Sequence, residues 1–77
     1  MATDSEIIAV RTKYYDCLDA AETPGSTTAA SAHYSARAQG LRQALEVIAP
    51  DWRPSESERQ LRRIVRAAAV VVKAIAR

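Results

Sequence analysis

The sequence predicts an all-α protein: an antiparallel helical hairpin plus a third helix, forming a three-helix bundle that dimerises into a larger helical bundle. Three observations carry this prediction. Apolar residues recur at three- and four-residue spacings through three long stretches, proline-bearing breaks separate them, and two of the three begin with a Ser/Thr-x-x-Glu box. The expected helices cover residues 4–22, 27–49 and 55–76 within one domain, residues 1–77.

"TDSE" announces the first helix, because Thr3 and Glu6 stand at the spacing that lets each side chain satisfy the other's backbone N–H. At about 100° per residue, Ile7, Ile8, Val10, Tyr14, Tyr15, Cys17, Leu18 and Ala21 fall within half the circumference, with Glu6, Thr12, Lys13, Asp16 and Asp19 opposite. One broad face should be buried. "ETPGST" then breaks the helix at Pro24 and Gly25, and Ser26, Thr27 and Thr28 are all competent N-caps.

In the second helix Ala38, Leu41, Leu45, Ile48 and Trp52 follow the a/d seam of a coiled coil, with Tyr34 upstream. A flank of small residues, Ala29, Ala36, Gly40 and Ala44, admits a close neighbouring backbone. Such packing explains a mid-helix glycine that costs about 1 kcal/mol against alanine.

"APDWRPSESE" is the second break, and Ser55 with Glu58 repeats the capping-box spacing. The third helix carries a stripe of Leu61, Ile64, Val65, Ala68, Val71, Val72 and Ile75. Consecutive Val70, Val71 and Val72 favour a strand, but no second strand-like segment offers pairing, so a helix is expected. Helices of roughly 28, 34 and 31 Å joined by short connections should be antiparallel neighbours.

A chain of 77 residues with no Phe buries little core, and lone Cys17 forms no intrachain disulfide. Association is the remaining staple. Acidic Asp4 and Glu6 stand where a secretory leader carries Lys or Arg, and the longest apolar run, residues 67–72, is far short of the roughly 20 needed to span a bilayer. The expected location is cytoplasmic, with no membrane span. Arginine preferred over lysine and abundant alanine suggest a GC-rich genome, in the manner of bacterial or phage accessory proteins.

Arg59, Arg62, Arg63, Arg66, Lys73 and Arg77 share a sector of about 100° opposite the third helix's apolar stripe. From residue 56 onward six positive charges face two negative, whereas residues 1–55 carry five positive and seven negative. This ridge could contact a phosphate backbone, stand solvated, or be neutralised by Asp16 and Asp19 of the first helix. An anionic membrane surface fits less well, since the apolar side lacks Trp and Phe. Base reading by a helix-turn-helix is disfavoured, because the first turn of the third helix bears Glu56 and Glu58. Val70 interrupts the basic sector and leaves residues 67–76 apolar nearly all round, as expected of a segment buried by a second subunit or another protein.

The hairpin should place Cys17 level with His33, but a thiol and an imidazole lacking a third orienting group and an oxyanion donor make neither a catalytic nor a metal site. No catalytic residue, metal or cofactor is expected. The expected oligomer or partner interface comprises Tyr15, Leu41, Leu45, Ile48, Trp52, Val70, Val71, Val72 and Ile75; Tyr15 stands at the edge of its stripe, where it either joins the core or is an exposed anchor for a partner. The function that fits is a homodimeric protein–protein interaction module: a regulator, inhibitor or assembly factor with a protein partner. The alternatives are backbone-directed DNA or RNA binding through the basic ridge, and a repeated structural subunit of a larger particle.

Overall fold

The computed structural model describes residues 2–75 as three helices, α1 (Asp4–Glu22), α2 (Thr28–Ile48) and α3 (Glu56–Ile75), with no strand among the described residues. Local chemistry accounts for the boundaries. The Thr3 hydroxyl accepts from the Glu6 N–H at 3.2 Å, and the Glu6 carboxylate accepts the Thr3 N–H at 3.4 Å, completing the capping box. After α1 the Ser26 N–H donates to the Thr23 carbonyl at 3.2 Å, closing a turn with Pro24 second and Gly25 third at φ +86°. That order suits a type II turn, whose third position requires the left-handed conformation open to glycine. Thr27 caps α2, its hydroxyl accepting from the Ala30 N–H at 3.1 Å. Val70, Val71 and Val72 are helical within α3.

The core lies between α1 and α2, which pack along one another. Tyr15, Cys17, Ala38 and Leu45 are buried, and Leu18, Leu41 and Ile48 are half-buried around them. Tyr34, upstream of the seam read from the sequence, is 36% exposed, because no third helix roofs α2 at that point. Gly40 likewise has open space where a close neighbour was expected: a Cβ there would meet nothing within 4 Å.

α3 does not lie along the hairpin as matched helix lengths suggest. Its backbone approaches α1 at one short crossing and does not approach α2 among the described residues. No side chain of α3 is buried. The charged face of α3, not its apolar face, meets α1, because acidic side chains of α1 capture the arginines of α3. The molecule is consequently broad and thin, with extents of 39 × 32 × 21 Å.

Candidate interaction surface

Two polar centres fix the position of α3. The first is Glu58, whose backbone N–H donates to the Ser55 hydroxyl at 3.0 Å, as a capping box requires. Its side chain does not return to the Ser55 N–H. Instead that N–H donates to the Tyr15 hydroxyl at 3.3 Å, and the Tyr15 hydroxyl donates to Glu58 Oε2 at 3.0 Å. The Trp52 indole N–H also donates to Oε2, at 3.0 Å, and Arg11 pairs with Oε1. The capping box is thus opened and threaded through a tyrosine of α1.

Trp52 is the hub of this joint. Its ring lies 5.3 Å from the Arg11 guanidinium carbon and 5.8 Å from that of Arg42, with the Tyr14 and Tyr15 rings edge-on at 6.1 and 6.0 Å. Cation–π contacts of this kind are worth about 0.5–1 kcal/mol each when partly exposed. Burial pushes the Glu58 carboxyl up, but donors Trp52, Arg11 and Tyr15 outweigh it and hold the group below its ordinary value. The Tyr15 phenol is pushed up, chiefly by burial and further by the neighbouring Glu58 carboxylate, against the lowering effect of the Ser55 N–H.

Asp19 is the second centre, and its side chain is only 12% exposed. Oδ1 accepts from Arg59 Nε at 2.9 Å and Arg63 Nε at 3.0 Å, while Oδ2 accepts from Arg66 Nη2 at 3.2 Å. Arg66 also donates to Asp16 at 3.0 Å, and Arg59 to Glu22. Burial raises the Asp19 carboxyl, yet hydrogen bonds from Arg63 and Arg59 overcome that and hold it below its ordinary value. Burial lowers the Arg59 guanidinium, and Glu22 and Asp19 more than restore it.

The basic ridge read from the sequence therefore turns inward. Arg59, Arg63 and Arg66 are engaged by α1, and Arg62 lies 4.0 Å from Glu58. Lys73 is exposed, and Arg77 lies outside the described residues. Neutralisation by Asp16 and Asp19 is the arrangement found.

With its charged face against α1, α3 turns its apolar stripe outward. Leu61, Ile64, Val65, Val71, Val72 and Ile75 are 53 to 76% exposed, and Ala68 in their midst is exposed too. Val70 is also exposed. Of the other residues expected at an interface, Tyr15 and Leu45 are only 1% and 0% exposed and belong to this chain's own core. Tyr15 is thus not an exposed anchor: its ring fills the joint and its hydroxyl is committed to Glu58. Leu41, Ile48 and Trp52 are half-buried.

Sequence reasoning missed the joint altogether. Glu58 read as a local cap, and the one available hint was Trp52, a large polar-tipped ring in a loop six residues before it.

Other places offer less chemistry. Cys17 is buried, whereas His33 is exposed with its ring 5.3 Å from Tyr34, and no hydrogen bond joins the two among the described residues. An open depression beside the α1–α2 turn is lined by hydroxyls, including Thr23, Thr27, Ser31 and Ser35, without a charged group. No helix of the described residues is long and apolar enough to cross a membrane. No protein-family model, curated protein or solved structure matches this chain.

Proposed function

We propose that this protein is a small protein–protein interaction module, a regulator, inhibitor or assembly factor by class, that works as a homo-oligomer through the apolar face of α3. One observation carries this reading: a continuous seven-residue stripe is exposed while the opposite face of the same helix is anchored by ion pairs. From the fractional exposures, the stripe presents on the order of 700 Å² of side-chain surface, more than single soluble chains ordinarily leave open in one patch. Phosphate contact is the weaker reading, since Arg59, Arg63 and Arg66 would have to leave Asp16 and Asp19 first.

Light scattering at micromolar concentration tests the proposal. The expected mass is at least twice the chain's 8.4 kDa. A folded monomer throughout that range would overturn it.

A further inference from the structure

The apolar stripe of α3 reads the same in both directions about Ala68. Leu61 and Ile75 stand seven residues to either side, Ile64 and Val72 four, and Val65 and Val71 three. Paired positions carry side chains of similar bulk. All six are exposed to a comparable degree, so both halves are equally free to receive a partner. A helix face with this spacing can meet a second copy turned end for end with apolar positions level on both sides, as a two-fold contact allows.

We infer that two copies of this chain pair through α3 in antiparallel orientation, with the two-fold axis at Ala68. The inference rests on the homo-oligomer reading above and specifies its geometry. Leu61 of one copy then lies level with Ile75 of the other, Ile64 with Val72, and Val65 with Val71. The smallest residue sits at the axis, where two crossing helices come closest. Bulkier side chains lie outward, where the axes separate, so the pattern fills the space that crossing helices leave.

Charge and area favour the same partner. The stripe bears no charged residue, and the adjoining positions nearest the axis are Ala67 and Ala69. An antiparallel pair sets each arginine-bearing first half against the other's Ala/Val-rich second half, and opposes the two helix dipoles. A parallel pair would align the two arginine-bearing halves with each other. Complete cover of both stripes would bury on the order of 1,400 Å², an upper bound that reaches the roughly 1,200–2,000 Å² of stable interfaces.

Cysteine cross-linking tests the axis, using the full chain with Cys17→Ala and a single new cysteine, Leu61→Cys or Ile75→Cys. Both positions are exposed in the single chain, and circular dichroism checks that each variant remains helical. In the proposed pair two copies of residue 61 are separated by about 21 Å along the axis, far beyond the roughly 7 Å that a disulfide tolerates. Mild oxidation should therefore link the mixture of the two variants and neither one alone. Cross-linking of Leu61→Cys by itself would show parallel helices or an axis near residue 61, and either overturns the inference while leaving self-association intact. A dimer by light scattering with no cross-link in the mixture would overturn the Ala68 axis alone. A monomer by scattering with no cross-link anywhere would overturn both readings.

Discussion

The Tyr15 hydroxyl donates to Glu58 across 43 residues of chain, and in the same place accepts the Ser55 N–H that a local capping box would have given to Glu58. One phenol oxygen therefore caps α3 and fastens it to α1. Tyr15→Phe keeps the ring and removes both bonds, leaving a part-buried carboxylate short of a donor. A loss of about 1–3 kcal/mol is expected, read as a lower urea midpoint with unchanged helicity in the native state. A midpoint equal to the parent's would show that the hydroxyl contributes nothing to the joint.

Asp19 gathers three arginines, so its charge should decide whether the basic ridge stays closed. The double variant Asp16→Asn/Asp19→Asn should speed hydrogen exchange in the first turns of α3 about tenfold or more, corresponding to the 1.5–3 kcal/mol typical of a charged hydrogen bond. It should also acquire an affinity for duplex DNA that weakens steeply between about 50 and 200 mM salt. Unchanged exchange would mean that α3 is held by something other than these pairs.

Acid should loosen α3 before it unfolds the hairpin. Asp19 and Glu58 are held below their ordinary values of 3.8 and 4.5, so the stability they contribute is complete above that range and is lost as pH falls through their lower folded values. Tyr15 lies above its ordinary 10.0, so its contribution is complete below pH 10.0 and is lost on the alkaline side. The urea midpoint should be level between about pH 5 and 9 and fall on both sides. Asp19→Asn should flatten the acid limb, whereas an identical limb in the variant would rule out this source.

Val72→Glu puts a charge on the exposed stripe four residues from Ala68, at a position 63% exposed in the single chain. Self-association should weaken by roughly 100-fold or more, since an unpaired carboxylate would have to be buried at the contact. Sedimentation at increasing concentration measures the change, with circular dichroism as the check on folding. Undiminished association would place the contact elsewhere.

Gly40 sits exposed in the middle of α2 with open space around its missing Cβ. Gly40→Ala should raise stability by about 0.5–1 kcal/mol through the unfolded chain's lost freedom. A destabilised variant would reveal a close neighbour that a single chain does not contain, and thermal unfolding distinguishes the two.

The helices were legible in the sequence because their ends are written within four residues: Thr3 with Glu6, Thr27 with Ala30, Ser55 with Glu58. Even the valine triplet of α3 yielded to the simple argument that a strand needs a partner. The placement of α3 was not legible. Spacing identifies an apolar stripe and a basic ridge on one helix but not which of them meets the hairpin. That was decided by Asp19 meeting arginines 40, 44 and 47 residues away, a convergence no local pattern records. For the same reason Tyr15, on the edge of its own stripe, looked available to a partner when it closes the joint from inside.

The chain's one tryptophan lies in the joint, its indole N–H on a carboxylate and two guanidiniums close to its ring. Intrinsic fluorescence is therefore a native gauge of whether α3 is seated. Lifting α3 takes the Glu58 carboxylate from the indole N–H, whereas Arg11 and Arg42 belong to α1 and α2, so a change in emission reports the loss of that one hydrogen bond, with no label attached.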